Sequence, residues 1–455
     1  MEFESYLRDA SGYRGQADRV FVPETVHELR ETVTRCAKER VPITVAGAGT
    51  GLTGARVPHG GAVLSLERFR KLEIENGRAI CGAGVALEDL HRAAAKRRQF
   101  LGPNPTEASA SVGGVVSTNA GGARSFRYRS LRYQVLGMEV TFADGRTERF
   151  RRGDKLDFEH GIVPQPETTK NSAGYYLKPD VDWVELLAGS EGTLGMVTEV
   201  ELALHPAPGA ILSGVVFFAS EIEAFDAVEA WRGIGELRLL EFMDEAALLF
   251  LRERYPEIPA AGRAALLVEQ NLGSEEDPEV ERWAERLAAQ NALEETWFGF
   301  RESEQARFRE FRHMLAVLVT ETVRRNGFPK CATDFAVPIA RNRELHNFYK
   351  QRCEAEFPGQ YTIFGHVGDA NNHINLLPRT TEQAKKAEDL IYEFAQKVVS
   401  VNGTVAAEHG IGKTKIGLLR LMYDQASIEK MREVKRKLDP EWLLGRGTLF
   451  EVPPV

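Results

Sequence analysis

The chain has 455 residues with 58 basic and 66 acidic side chains, a formal charge of −8 at pH 7, and 43% of its residues are hydrophobic. These proportions are typical of a folded globular protein, exclude a disordered or collagen-like chain, and at this length predict two or three domains. The acidic balance also argues against a nucleic-acid binder, although it leaves room for a local basic pocket that binds a small anion.

Cysteine usage and hydropathy indicate the compartment. The four cysteines, Cys36, Cys81, Cys331 and Cys353, form no CxxC pair, so they predict neither a disulfide framework nor an iron–sulfur site, and any one-electron relay would lie on another chain. The N-terminus lacks an apolar signal region, and no stretch approaches the ~20 apolar residues of a membrane span. We expect no transmembrane segment and a cytoplasmic location, peripheral to a membrane only through a partner.

The first part of the chain predicts an α+β domain built around a ligand. Residues 21–40 predict a strand that leads into a helix with Thr25 as its N-cap, and VPITVAG (41–47) predicts a short strand. Short β-branched runs then continue to residue 206, interrupted by glycine-rich blocks at 47–61, 102–122 and 189–195. Glycines at this density mark tight turns or backbone that approaches a ligand closely. We assign residues 1–206 to this first domain.

The composition changes after LHPAPGA (204–210), where longer helical patterns alternate with apolar runs. This alternation predicts a second α+β domain, with strands in one layer and amphipathic helices in the other. We assign residues 207–420 to it, including a long helix that ends at Gly403. Residues 421–455 predict a C-terminal segment, a helix followed by a proline-containing turn, that packs back on the first domain.

The first glycine block matches the GxGxxG spacing of a dinucleotide-binding βαβ unit, from Gly49 to Gly54. That motif requires a helix to begin at the glycines. Pro58, Gly60 and Gly61 would fall in the first turns of such a helix, which therefore cannot form. The block instead predicts a non-helical loop whose N–H groups bind an anion, and three such blocks in one domain favour a large phosphate-bearing ligand.

The strings PITVAGAGTGLTGARVP (42–58), GPNPTEASASVGGVVSTNAGGAR (102–124) and GSEGTLGMVTEVELALHP (189–206) resemble the FAD domain of the vanillyl-alcohol oxidase and p-cresol methylhydroxylase superfamily. The resemblance implies that the first loop holds the FAD pyrophosphate and that the other two blocks line the adenosine and isoalloxazine. Thr50 takes the place of a histidine that carries the flavin covalently in some relatives, which implies non-covalent FAD. The implied FAD-binding residues are Gly47, Ala48, Gly49, Thr50, Gly51, Pro103, Ser111, Gly113, Gly114, Ser117, Asn119, Glu191, Gly192 and Val197.

The segments FGHVGDANNHINLL (364–377) and VAAEHGIGKTK (405–415) carry the candidate metal ligands. His366 and His373 are seven residues apart, which would place them on opposite faces of one continuous strand. A hairpin with Asp369 and Ala370 as its two central residues would place His366 directly opposite His373, on the same face. With Glu408 they would form a three-ligand site with an open position, and His409 would be a titratable base beside it.

The same two segments resemble the GHxGDGNxHxN and EHGxG signatures of FAD-linked D-lactate, glycolate and D-2-hydroxyglutarate dehydrogenases. The resemblance implies that His366, His373 and Glu408 bind a divalent metal, usually zinc, and that His409 is the catalytic base. A His₂Glu set also suits manganese, iron and cobalt.

The family's substrate-binding residues are implied as Asn375, Arg312 and Lys330, with the segment from Asp334 to Pro338 as the anchor for the last two. The chain departs from the family pattern at Ala370, which replaces a glycine, and at residues 445–447, which read Gly-Arg-Gly in place of Asn-Pro-Gly.

The resemblance predicts a dehydrogenase, rather than an oxidase that uses O₂, that converts a D-2-hydroxy acid to the 2-oxo acid by hydride transfer to FAD. Its electrons would pass to an electron-transfer flavoprotein, a quinone or an iron–sulfur subunit. Alternatives are the flavin subunit of a glycolate-oxidase-type complex, a metal-dependent hydrolase whose loops bind a nucleotide, and a non-catalytic flavin-binding protein. A homodimer is a further possibility. The sequence does not specify the particular acid, the acceptor or the metal.

Overall fold

A computed structural model describes residues 3–451. Its first half has two principal sheets, one three-stranded and parallel and one five-stranded and antiparallel. The strands are β1 (Arg19–Phe21), β2 (Ile43–Ala46), β3 (Ala62–Ser65), β4 (Leu72–Glu75), β5 (Arg78–Gly82), β6 (Gln99–Phe100), β7 (Val135–Thr141), β8 (Thr147–Arg151), β9 (Met196–Ala203) and β10 (His205–Pro206). The helices are α1 (Val26–Glu39), α2 (Leu87–Ala95), α3 (Val112–Ser117), α4 (Ser125–Tyr128) and α5 (Trp183–Leu187).

Helix α1 shows how local sequence fixes these elements. Thr25 accepts a hydrogen bond from the Glu28 amide at 3.2 Å, as the N-cap prediction requires. Leu29, Val33 and Cys36 recur at helical spacing and are buried on one face. The chain then enters β2, and no helix follows the glycine loop before β3 begins. The rejection of a dinucleotide-binding βαβ unit is therefore confirmed.

The second half contains a seven-stranded antiparallel sheet in the order β14-β11-β13-β12-β16-β17-β15. Its strands are β11 (Ala210–Phe218), β12 (Leu237–Met243), β13 (Ala264–Leu272), β14 (Trp297–Gly299), β15 (Cys331–Ala332), β16 (Tyr361–His366) and β17 (Asn371–Leu376). The helices are α6 (Glu221–Trp231), α7 (Glu245–Arg252), α8 (Glu279–Ala289), α9 (Glu302–Asn326), α10 (Asn342–Glu356), α11 (Thr381–Ser400), α12 (Ile416–Met422) and α13 (Gln425–Leu438).

The predicted α+β class is confirmed, but helices cover both faces of this sheet, which corrects the expectation of one strand layer and one helix layer. Helices α6 and α8 pack on one face, and α7 and α9 pack on the other. Strands β12 and β13 are therefore buried along almost their whole length, and most of their side chains are apolar on both faces.

Helix α11 ends at Ser400, and Asn402 rather than Gly403 takes the left-handed conformation, with φ of +61°. Gly403 is required for a different reason: a Cβ atom there would lie 2.6 Å from the carbonyl oxygen of Ala336. The predicted stop is in the right place, but the residue that makes the turn is the asparagine.

The last described segment contacts the first half of the chain. The buried Lys435 ammonium donates to the Thr193 carbonyl at 2.6 Å, and the Gly445 amide donates to the Ile43 carbonyl at 2.9 Å. These bonds tie α13 and the turn after it to β2 and to the third glycine block.

Within residues 3–451, no helix combines the length and the apolar character that a membrane crossing requires.

Candidate active site

A cavity of about 290 Å³ is lined by the glycine blocks of the first half together with Glu408 and His409 from the second. Twelve of the fourteen residues that the sequence predicts to bind FAD line it. They are Gly47, Ala48, Gly49, Thr50, Gly51, Ser111, Gly113, Gly114, Ser117, Glu191, Gly192 and Val197.

The first glycine loop is held against the second block by Ser111. Its hydroxyl accepts from the amides of Ala48 at 3.4 Å and Gly114 at 3.3 Å, and a Cβ at Gly47 would lie 2.7 Å from it. Gly49 has φ of +85°, and the Arg56 guanidinium fills the space that a side chain there would need. The loop therefore offers mostly backbone to a ligand, which fits a pyrophosphate group.

Two predicted FAD contacts, Pro103 and Asn119, are not among the residues that line the cavity. Asn119 is fully buried, donates to the Asn171 carbonyl at 3.1 Å and accepts from the Arg132 amide at 2.9 Å. Its side chain thus fixes the turn after α3, while its neighbours in sequence face the cavity.

Glu191 connects the third glycine block to the second half of the chain. Its carboxylate accepts from the amides of Ile411 and Gly412, both at 2.8 Å, and a Cβ at Gly410 would lie 2.8 Å from its carboxyl carbon. Burial outweighs these two bonds and raises the pKa of Glu191 to about 7. The residue lines the cavity and also sets the position of the segment that follows His409.

The three predicted metal ligands converge. His366 Nε2 lies 2.9 Å from Glu408 Oε1, His373 Nε2 lies 3.4 Å from the same oxygen, and the three potential ligand atoms are all within 4.8 Å of one another. The Glu408 side chain is only 9% exposed. Two imidazole nitrogens and one carboxylate oxygen at this spacing suit a divalent transition metal.

The other ring nitrogens show which tautomers a metal would meet. His366 Nδ1 lies 2.5 Å from Glu241 Oε1, and His373 Nδ1 lies 3.0 Å from the Thr333 carbonyl oxygen. A carbonyl oxygen only accepts, so the His373 proton belongs on Nδ1, and the carboxylate favours the same tautomer for His366. Burial alone would lower the pKa of His366, but Glu241 and Glu408 together raise it to about 9, so without a cation its Nε2 carries a proton toward Glu408. A cation would replace that proton, and both Nε2 atoms and Glu408 Oε1 fit one.

The hairpin that carries the histidines differs from its prediction. His366 is opposite Asn371, with a four-residue turn between them, so direct pairing of His366 with His373 is wrong. The two rings still share a face, because His373 is two residues beyond Asn371, and their centroids are 5.3 Å apart. The turn requires Ala370 in the left-handed region, with φ of +52°, where a glycine would carry no steric cost.

His409 is fixed by Asp334. The Asp334 carboxylate accepts from the amides of His409 at 2.9 Å and Glu408 at 3.2 Å, and Lys415 donates to it at 3.2 Å. The His409 ring stacks on His373 with its Nε2 3.8 Å from Glu408 Oε1. Burial lowers the pKa of His409 to about 4, against the opposing charges of Asp334 and Glu408. The imidazole is therefore neutral at pH 7 with a lone pair available, and in these surroundings it is a weaker base than a free histidine.

A buried lysine completes the cluster. Lys170 is fully buried, and its ammonium lies 3.0 Å from Glu408 Oε2, 3.4 Å from Asp369 Oδ2 and 3.3 Å from Asn371 Oδ1. Burial alone would lower the pKa of Lys170, but the two carboxylates outweigh it and raise the pKa. Since Lys170 occupies Oε2 of Glu408, only Oε1 faces the histidines.

The three predicted substrate-binding residues come from different parts of the second half, and none of them is among the residues that line the cavity. Arg312, on α9, donates from Nε to Glu241 Oε2 at 2.6 Å and from Nη1 to Thr106 Oγ1 at 3.2 Å. Lys330 donates to Asn375 Oδ1 at 2.6 Å, and Asn375 shares a face of β17 with His373. The structure thus joins Lys330 to Asn375 and links Arg312 to the cluster through Glu241.

Sequence analysis missed Glu241 and Lys170. Glu241 carries a signal that could have found it, since it is a single acidic residue in the apolar run LRLLEFM (237–243). Lys170 lies in an irregular stretch of mixed polarity between β8 and α5, and nothing in its local sequence distinguishes it.

Comparison with known proteins gives two family matches. Residues 17–151 match a family described as FAD binding domain, and residues 207–449 match one described as FAD linked oxidases, C-terminal domain.

Curated relatives match over nearly the full chain. The D-lactate dehydrogenase of Archaeoglobus fulgidus is 31% identical, over 94% of this chain and 90% of the relative. The glycolate oxidase subunit GlcD of Bacillus subtilis is 30% identical, over 98% and 92% respectively. The D-2-hydroxyglutarate dehydrogenase of Xanthomonas citri pv. viticola is 30% identical, over 95% and 89%.

Among solved structures, an alkyldihydroxyacetonephosphate synthase superposes with a TM-score of 0.67 at 16% identity, over 94% of this chain and 75% of that one. At this identity the likeness concerns the fold alone, and it agrees with the architecture that the glycine blocks predict.

Proposed function

The chain belongs to the FAD-linked oxidases, and from that premise we propose that it oxidises a D-2-hydroxy acid of the lactate, glycolate or 2-hydroxyglutarate class to the 2-oxo acid. Family membership makes it an FAD-linked oxidoreductase of the 2-hydroxy acid dehydrogenase and oxidase class, so the predicted family and enzyme class are confirmed. The observation that carries the finer proposal is the convergence of His366, His373 and Glu408 beside a neutral His409 at the cavity wall.

We assign non-covalent FAD to the cavity, with residues 47–51 in contact with the pyrophosphate. The second and third glycine blocks would line the adenosine and the isoalloxazine. The proposed domains are 1–206 for FAD, 207–420 for the substrate and the metal, and 421–455 as a segment that packs back on the first domain. The bonds from Lys435 to Thr193 and from Gly445 to Ile43 support the last assignment.

When bound, FAD accepts a hydride, and a divalent cation lowers the pKa of a hydroxyl in contact with it. We propose zinc as that cation, with manganese, iron or cobalt as alternatives. His366 Nε2, His373 Nε2 and Glu408 Oε1 would hold the cation. His409 would accept the hydroxyl proton at Nε2, the nitrogen that faces Glu408, while Asp334 fixes its backbone.

We propose that the substrate carboxylate binds Arg312, with Lys330 and Asn375 as further contacts. Arg312 uses Nε and Nη1 in its bonds to Glu241 and Thr106, and no partner of its Nη2 is found within residues 3–451. A guanidinium held in this way can orient a carboxylate as well as attract it.

Electrons would leave through an acceptor such as an electron-transfer flavoprotein, a quinone or an iron–sulfur subunit. The match to glycolate oxidase subunit GlcD favours, as a second candidate, the flavin subunit of a glycolate-oxidase-type complex. All four cysteines are free and well separated in sequence, so an iron–sulfur cluster in such a complex would belong to the partner.

The test is an anaerobic visible spectrum of the purified protein, before and after addition of D-lactate, glycolate, D-malate or D-2-hydroxyglutarate. We expect flavin bands that bleach with at least one of these acids. His409→Ala should slow bleaching by about 10²- to 10⁴-fold while the oxidised spectrum stays unchanged, because only the base is lost. His346→Ala is the matched control, since His346 is a buried histidine paired with Glu221 and does not line the cavity.

Flavin that none of these acids bleaches, or a His409→Ala variant that bleaches at the wild-type rate, would contradict the proposal. A protein that neither contains FAD nor takes it up would contradict the cofactor assignment.

A further inference from the structure

Glu241 is a buried carboxylate in an apolar strand. It is 2% exposed in the middle of β12, and its neighbours Leu239, Leu240, Phe242 and Met243 are all buried. A carboxylate in such surroundings is costly unless both oxygens have charged or hydrogen-bonding partners. Each oxygen has one: Oε1 lies 2.5 Å from His366 Nδ1, and Oε2 accepts from Arg312 Nε at 2.6 Å.

These two partners serve opposite ends of the proposed substrate. His366 presents Nε2 to the cation that would contact the hydroxyl, and Arg312 would bind the carboxylate. In a 2-hydroxy acid the two groups sit on adjacent carbons, so the two anchors must keep one fixed separation. Nothing in the backbone guarantees this, because His366 ends β16 whereas Arg312 projects from α9.

We propose that Glu241 is a positioning residue that holds the metal-ligating His366 and the carboxylate-binding Arg312 in one fixed relation. The inference rests on the proposed function and deepens it. One carboxylate keeps the imidazole proton on Nδ1, which leaves Nε2 for the cation, and directs the guanidinium through Nε, which leaves a terminal nitrogen for the substrate. Substitution of Glu241 should therefore disturb metal binding and substrate binding together.

The neighbouring strand offers a matched control. Glu269, on β13, is 6% exposed and is paired with two arginines, Arg124 at 2.9 Å and Arg238 at 3.3 Å. It has no histidine partner among the bonds found. Glu269→Gln therefore removes the same charge from the same sheet without touching the metal cluster, and it reports the purely structural effect.

The experiment compares FAD-loaded wild type, Glu241→Gln and Glu269→Gln. Zinc affinity is measured by competition with a chromophoric chelator, and kcat and KM are measured for whichever acid bleaches the wild type, at saturating zinc. We expect Glu241→Gln to weaken zinc binding by about 10- to 100-fold and to raise KM, while Glu269→Gln changes both by less than twofold. Arg312→Lys should raise KM but leave zinc affinity within a few-fold, because Glu241 then still bonds His366.

If Glu241→Gln does not fold, Glu241→Asp replaces it, since the shorter carboxylate cannot reach both partners and must lose one of the two effects. In a wild type that binds zinc and is reduced by substrate, the role of Glu241 alone is overturned if Glu241→Gln equals Glu269→Gln in zinc affinity or in KM, or if Glu241→Asp equals it in both. A wild type that neither binds a divalent cation nor is reduced by a D-2-hydroxy acid would overturn the proposed function as well.

Discussion

Buried charge is concentrated around one carboxylate, that of Glu408. Its Oε2 faces the Lys170 ammonium at 3.0 Å, and its Oε1 faces both histidines. Lys170 also lies 3.4 Å from Asp369, whose own pKa is raised by burial. A single lysine thus offsets two buried carboxyl groups, and breaking such an arrangement leaves charge with no partner and no water.

Lys170→Met keeps most of the side-chain volume but removes the ammonium. We expect the FAD-free, metal-free protein to lose about 3–5 kcal/mol of unfolding free energy, measured by chemical denaturation. Zinc should restore more stability to this variant than to wild type, because a bound cation would take over the neutralisation of Glu408. Lys435→Met is the control: Lys435 is 2% exposed and is bonded to Asp439, Thr193 and Leu444 rather than to the Glu408 cluster. Equal rescue of the two variants by zinc would contradict this account.

Short motifs reveal some of these residues and hide others. His366, His373, Glu408 and His409 lie in two compact segments whose glycines and asparagines already indicate a ligand site. Lys170 is 238 residues from Glu408, and such a contact depends on how the two halves pack rather than on local sequence. The contact between Lys170 and Glu408 cannot be predicted from a local motif because the two residues are far apart in sequence.

At the scale of elements, the sequence predicts the β16–β17 hairpin but not its register. Register depends on the turn, and the left-handed Ala370 allows a four-residue turn that sequence rules assign to glycine or asparagine. Gly365, at φ of +138°, lies directly beside one of the candidate metal ligands: a Cβ there would be 2.8 Å from His373 Cδ2 and 3.1 Å from the Asn371 carbonyl oxygen. The position of His373 in the hairpin therefore depends on the absence of a side chain at Gly365.

Gly365→Ala should displace His373 and weaken zinc binding, as measured by chelator competition. Gly359→Ala is the control, since Gly359 also has positive φ, +66°, but a Cβ there meets nothing within 4 Å. The unfolding free energy of the control should fall by about 1 kcal/mol, the conformational cost of a side chain at positive φ. That of Gly365→Ala should fall by a further ~1–3 kcal/mol because of the clash. If both variants bind zinc as wild type does, the hairpin tolerates the extra methyl group and the geometric argument fails.

At the scale of the whole molecule, the candidate site exists only where the two halves meet. Glu191 bonds the segment after His409, the Arg124 side chain bonds Glu269 across the halves, and α13 returns to the third glycine block. The composition change near residue 206 indicates two parts of the chain, and the structure adds how each part completes the other. Sequence could not show this, because helices on both faces of the large sheet and the joining carboxylates are features of packing.

Glu191 gives this contact between the halves a pH dependence whose sign can be worked out. Its pKa is raised from 4.5 to about 7 by burial, so the folded state holds the proton more tightly than the unfolded chain does. The contribution of Glu191 to the free energy of unfolding is therefore largest below pH 4.5, and it falls by about 3 kcal/mol as the pH rises to 7. Glu191→Gln should remove that decline in denaturant unfolding of the FAD-free protein between pH 5 and 7.5.

Glu269→Gln should change the pH dependence of stability in the opposite direction. Burial alone would raise the pKa of Glu269, but Arg124 and Arg238 outweigh it and lower the pKa, so this carboxylate adds stability at neutral pH that is lost on acidification. Its replacement should therefore flatten the acid side of the stability profile, while Glu191→Gln flattens the decline toward pH 7. Profiles that shift in parallel for the two variants would mean that the Glu191 carboxyl is ionised throughout, held by its bonds to the amides of Ile411 and Gly412.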